Sequence, residues 1–131
     1  MSEQVKNKVI VATTHALRVL DGNEKERFKF SGTFMYAMSK NIRRLTEITE
    51  DLEKSRQALV RKHDLGKKKN EKGQIVKDDV DVLQRFQDEY DALMDQESEV
   101  VVTKFKLGEL NLETNNIPIS ALAALGWLIL E

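Results

Sequence analysis

Met35, Met38, Ile42, Leu45, Thr49, Leu52, Arg56 and Leu59 follow one another at alternating steps of three and four residues. With Phe34, Ile48 and Val60 broadening the stripe, this coiled-coil-like repeat extends over roughly thirty residues, the period of one face of an α-helix. The spacing predicts a single helix over 32–64, capped by Ser31 and closed by Gly66, about 45 to 50 Å long at 1.5 Å per residue. Arg43 with Glu47 and Glu50 with Lys54 are spaced as helical ion pairs, each adding only about 0.2 to 0.5 kcal/mol. A helix of this length draws its stability from packing, so the apolar stripe must lie against something.

The remaining segments supply candidates for that cover. Val5, Val9, Ala12, Ala16 and Val19 step as one helical stripe, which predicts a helix over 5–20 with Gly22 at its end. A connector, Glu24–Ser31, alternates Phe28 and Phe30 with charges, a pattern that turns both rings to one side for packing. Residues 65–78 form a basic turn, with Asn70-Glu71-Lys72-Gly73 suited to a tight reversal. Asp78 or Asp79 then caps a helix over 79–97 whose stripe is Val82, Leu83, Phe86, Tyr90, Leu93 and Met94.

From Glu99 the pattern changes to β-branched alternation, Val100 to Leu107, which predicts a strand region over 99–112 with Val101, Thr103, Phe105 and Leu107 on one side. Ile117-Pro118 interrupts any helix, and Ser120 caps a short apolar helix over 120–130. The fold expected is mainly α: a long antiparallel helical hairpin with an N-terminal helix, a short C-terminal β segment and a short apolar C-terminal helix. It forms one domain, 1–131, because 131 residues support one core and no linker divides them.

Composition narrows the chemistry. The chain has no Cys, which excludes disulfides, thiolate metal sites and cysteine nucleophiles. Its six glycines form no phosphate-binding loop, and no GxSxG or HExxH motif occurs. His15 and His63 stand on different predicted helices with no second ligand beside either. Glu47, Glu50, Asp51 and Glu53 read as the solvated face of an amphipathic helix. No enzyme, metal or cofactor is expected. The first apolar run, Val9–Ala12, is too short for a signal-peptide core, and the uncharged stretch Ile117–Leu130 is too short to span a bilayer. A cytoplasmic location follows as the expectation.

Two features point to partners. Arg61, Lys62, Lys67, Lys68, Lys69, Lys72 and Lys77 face only Asp64 and Glu71 in the same stretch. No aromatic residue is interleaved to stack on a base, and Asp78–Glu99 holds nine acids against Arg85, so duplex nucleic acid is not an expected partner. A small anionic ligand such as a nucleotide, held by Arg61, Lys62 and Lys67–Lys69, remains open. The second feature is apolar excess: the long stripe outreaches the 79–97 helix, and Ile117–Leu130 is apolar on all sides. Both imply a homo-oligomer or a partner protein, with Met35, Met38, Ile42, Leu45, Leu52, Phe86, Tyr90 and Trp127 as its packing residues.

The order of features also resembles a known group. Leu17-Arg18-Val19-Leu20, the helix reading Ala37-Met38-Ser39-Lys40-Asn41-Ile42-Arg43-Arg44-Leu45, its continuation Glu53-Lys54-Ser55-Arg56-Gln57-Ala58-Leu59-Val60, the Glu71-Lys72-Gly73 turn, the helix with Phe86 and Leu93-Met94, and the closing Ser120-Ala121-Leu122-Ala123-Ala124-Leu125-Gly126-Trp127-Leu128 are similar in layout to small accessory proteins of tailed bacteriophages. The resemblance implies a viral origin and a non-enzymatic accessory role, in the virion or against the host, with a host or phage protein as partner. It assigns no functional residue. The leading expectation is therefore an interaction or assembly protein, and the alternative is a counter-defence protein that sequesters a nucleotide signal or inhibits a host immune factor. Replacing Lys67, Lys68 and Lys69 with Ser leaves folding intact on either reading. It abolishes ligand binding only on the second, which a thermal-shift screen against cyclic and linear nucleotides measures.

Overall fold

The heptad-spaced segment forms one unbroken helix. In a computed structural model, which describes residues 2–21, 28–67 and 69–130, helix α2 runs Gly32–Lys62. Ser31 caps it through its hydroxyl, which accepts the Phe34 N–H at 3.1 Å. Left-handed backbone at Asp64 and Gly66 turns the chain away beyond its end. The Gly22 cap expected for the first helix lies outside the described residues, as does much of the 24–31 connector.

Around α2 stand a strand β1 (Ser2–Lys6), helix α1 (Asn7–Asp21), helix α3 (Val80–Asp95), strand β2 (Glu97–Val101), a two-residue strand β3 (Phe105–Lys106), helix α4 (Ile119–Leu125) and a two-residue strand β4 (Ile129–Leu130). Short 3-10 turns follow β3 and α4. The chain is mainly helical, with a small antiparallel sheet of β1 and β2 and a parallel pairing of β3 with β4.

Three sequence expectations are corrected. The first helix starts at Asn7, not residue 5, because Ser2–Lys6 pairs with β2 in the register Ser2↔Val101 to Lys6↔Glu97. Val5 thus belongs to the sheet. The 99–112 strand is broken in two: Val100 and Phe105 turn inward, while Val101, Thr103 and Leu107 are exposed. The break falls at Thr103, whose peptide is held by the side chain of Asn41 instead of a neighbouring strand. The last helix begins at Ile119 behind Pro118, so Ser120 is not its cap, and it ends at Leu125, where the chain tightens and then extends into β4.

The core lies where the first half of α2 meets α1, β2, β3 and the C-terminal segment. Ile10, Leu17 and Leu20 of α1, Met38 and Leu45 of α2, and Leu125 and Leu128 are buried there. Phe28 and Phe30 pack against it, as their alternation predicts. Their rings lead to Phe34, which meets Phe105 edge-on at 4.9 Å. Met38 and Leu45 are therefore covered by the chain's own segments, which removes the argument that this part of the stripe needs a second subunit. Ile42 packs beside them half-buried, but Met35 is 53% exposed and takes no part in this core. Trp127 also turns inward, donating its indole N–H to Thr13 at 2.8 Å.

Buried asparagines tie the segments together. Asn41 donates to the Thr103 carbonyl and accepts the Thr103 N–H, both at 2.8 Å. Asn115 does the same to Lys29, at 2.9 and 2.7 Å, and also donates to Leu110. Asn7 donates to the Leu93 carbonyl at the end of α3 and accepts the Ser98 hydroxyl at the start of β2.

Asn41→Ala removes both hydrogen bonds to the Thr103 peptide and the buried amide that makes them, and should cost about 1 to 3 kcal/mol. Leu45→Ala should cost about 2 to 5 kcal/mol as a fully buried leucine. Leu52→Ala, at a half-buried site, should cost about 1 kcal/mol or less. Urea unfolding followed through the fluorescence of Trp127 measures all three.

Candidate interaction surface

The buried residues of α2 are Phe34, Met38, Asn41 and Leu45, all in its first half. Beyond Leu45 the stripe continues through Thr49, Leu52, Arg56 and Leu59, yet each of these is only half-buried. Helix α3 carries Val82, Phe86, Tyr90, Leu93 and Met94, and none of its sixteen residues is buried. The distal half of α2 and the whole of α3 thus make a region built like a core and covered like a surface.

What holds α3 in place is part apolar and part ionic. Phe86 and Tyr90 stack with their planes 3° apart at 6.0 Å, and the His63 ring meets Phe86 edge-on. Glu89 lies between these rings on the same helix face. Its carboxylate accepts from Lys62 at 2.7 Å and lies 3.0 Å from the imidazole Nε2 of His63. Those two hydrogen bonds, Lys62 first, hold the Glu89 carboxyl below the usual carboxylate range.

Nearer the core, Val11, Thr49, Leu52, Glu53, Arg56, Tyr90 and Met94 line a cleft of about 200 Å³. Its floor is apolar, and its rim carries the Arg56 guanidinium bonded to both oxygens of Glu53, at 2.9 and 2.6 Å. Two further clefts of about 240 Å³ lie elsewhere. One, between α1 and α4, is lined largely by alanines with His15 and Ser120; the other lies between Arg44, Glu47 and Ile48 of α2 and Glu99 to Val101 of β2.

The outer faces of α3 segregate by chemistry. Val80, Leu83, Gln87, Tyr90 and Met94 share one side at steps of three and four. Val80 is 79% and Leu83 42% exposed at its distal end, whereas Tyr90 and Met94 border the cleft at the other. Asp81, Gln84, Asp88, Asp91 and Asp95 form the ridge opposite the packed face. Gln84 and Gln87 donate to Asp88 and Asp91, and Lys8 pairs with Asp95 at 2.9 Å.

The basic turn is ordered by Asn70. Its side-chain oxygen accepts the N–H groups of Lys72 and Gln74, Gly73 takes the positive φ the reversal requires, and Lys69 bridges to Ile75. Ile75 is 68% exposed at this tip. Asp78 accepts the Gly66 N–H, and Asp79 occupies the N-cap position of α3.

Four of the five candidate phosphate ligands are described. Lys62 is bonded to Glu89, Lys67 pairs with Asp64 at 3.6 Å, and Arg61 and Lys69 are exposed with no ion-pair partner among the described residues. None of the four lines any of the three clefts. Lys68 lies outside the described residues. Of the packing candidates, Leu52 and Tyr90 meet at one cleft with Phe86 stacked beside Tyr90, while Met38, Leu45 and Trp127 belong to the core region. Sequence reasoning missed Glu89, although an acid within the stripe Val82–Phe86–Leu93 is a visible irregularity.

Comparison with protein-family models, with curated proteins and with solved structures finds no match to this chain. Among the described residues no group of three or more His, Asp or Glu side chains is placed to hold a metal ion. No described helix is long and apolar enough to cross a membrane.

A carboxyl whose folded-state pKa lies below its unfolded value stabilises fully above the unfolded value and loses that contribution as pH falls through the folded one. Lowering the pH from about 5 to about 3 should therefore loosen α3 before the core, seen as faster amide exchange in 80–95 than in 7–21. Glu89→Gln should leave α3 loosened at neutral pH and remove most of this acid dependence.

Proposed function

We propose that this protein is a non-enzymatic interaction protein of the accessory kind its layout resembles. It docks on another protein through the distal half of α2 and α3, arranged as a helical hairpin, and acts in the virion or toward the host. The observation that carries this reading is a sixteen-residue helix with six large apolar or aromatic residues in its stripe and not one of them buried. Helices in folded proteins owe their stability chiefly to burial of the apolar face. Here that burial is incomplete within the chain, and a helix laid along Leu52, Leu83, Tyr90 and Met94 would finish it.

Sequestration of a nucleotide is supported less well, because the basic side chains are divided among Glu89, Asp64 and solvent. The three clefts described measure about 200 to 240 Å³, against roughly 300 to 1,000 Å³ for typical ligand pockets.

A photoreactive phenylalanine derivative placed at Leu83, and in a control at Ser39 on the proximal part of α2, tests the docking surface in producing cells. A discrete protein adduct is expected at position 83 and none at position 39. Absence of any adduct at 83 would overturn the reading.

A further inference from the structure

We propose that the protein docked on this surface is a second copy of the same chain, laid antiparallel about a two-fold axis; the proposal rests on the docking reading above. A two-fold interface brings one patch against itself, so the patch must be self-complementary. This one is, in a single orientation. Its distal end carries Arg61, Lys69, Lys72 and Lys77, none with an ion pair among the described residues, interspersed with the fewer acids Glu71, Asp78 and Asp81. Its proximal end carries Asp88 and Asp91 on the ridge of α3, while Asp95 is paired with Lys8 and Glu53 with Arg56. Parallel apposition sets the lysine-rich tips against each other and Asp88 and Asp91 against their own copies. Antiparallel apposition sets lysines against aspartates at both ends, and each contact is made twice.

The apolar groups obey the same polarity. Ile75, Val80 and Leu83 project at the distal end, and the cleft floored by Leu52, Tyr90 and Met94 opens at the proximal end. Leu83 shares one side of α3 with Tyr90 and Met94, seven and eleven residues away, or about 10 to 16 Å along the axis. A second copy rotated by half a turn therefore presents its Leu83 to this cleft and receives the first copy's Leu83 in return. The stripes also continue one another. The Thr49, Leu52, Arg56 and Leu59 repeat on α2 and the Val80, Leu83, Tyr90 and Met94 repeat on α3 both keep the four-three step that antiparallel four-helix packing uses. Two helices about 25 Å long offer roughly 500 Å² per copy, below the about 800 Å² of a standard interface, which makes this a micromolar, salt-sensitive dimer.

Light scattering of the purified chain across micromolar concentrations should show the mass rising from that of one chain toward twice that value. Raising salt from about 0.1 to about 0.5 M should weaken the association about tenfold or more. The triple change Lys69→Glu, Lys72→Glu, Lys77→Glu should be monomeric, and so should the double change Asp88→Lys, Asp91→Lys. Circular dichroism should show both still folded. Mixing the two should restore a heterodimer, because both of its charged ends then set acidic against basic side chains. A monomer throughout this range, or a dimer indifferent to both sets of changes, would overturn the proposal. With the photoreactive group at position 83, an adduct in cells but none with purified chain retires the second copy and keeps the docking surface. No adduct in either retires both.

Discussion

The central helix is longer than the core that can cover it. Thirty-one residues make α2 about 46 Å long, whereas the apolar mass supplied by α1, the phenylalanines and the C-terminal segment gathers around its first half. Burial contributes in proportion to area removed from water, so the two halves of one continuous stripe have different fates. Phe34, Met38 and Leu45 are locked in a core; Thr49 and Leu52 line a cleft and Leu59 is half-buried. The sheet, the C-terminal helix and the turns organise the first half. The second half has α3, the edge of α1 at Val11 and a few ionic contacts.

Buried amides decide which segments meet in the covered half. An apolar core is tolerant of how elements slide against one another, but an asparagine that satisfies both the N–H and the carbonyl of one distant peptide fixes a single position. Asn41 does this for Thr103 and Asn115 for Lys29, while Asn7 joins the end of α3 to the start of the sheet. Each bond is worth about 1 kcal/mol net, yet leaving either partner unmet in the interior costs more. These contacts select one register among the packings that the hydrophobic residues would allow.

In the uncovered half the discriminating contacts are charged. Glu89 gathers Lys62 and His63 onto the flank of Phe86, orienting α3 through groups that remain in contact with water. Such contacts are individually weak and respond to salt and acid, so this region gives way to conditions that leave the amide-bonded core intact.

Periodicity reports what a segment does by itself, and α2, α3 and the tight turn at Asn70–Gly73 were all legible from it. Ser31, Phe28 and Phe30 act as their spacing implies. The strand at Ser2–Lys6 was invisible because its partner, β2, lies some ninety residues further along the chain. The break at Thr103 was hidden likewise, since its cause is an amide on another helix. The apolar stripe from Met35 to Leu59 fixed that a helix would form and that one face would seek cover, for these follow from geometry along the chain. Which residues obtained that cover depended on how many other segments could crowd around one end of a rod. Volume and reach settle that question, and the folded molecule alone discloses it.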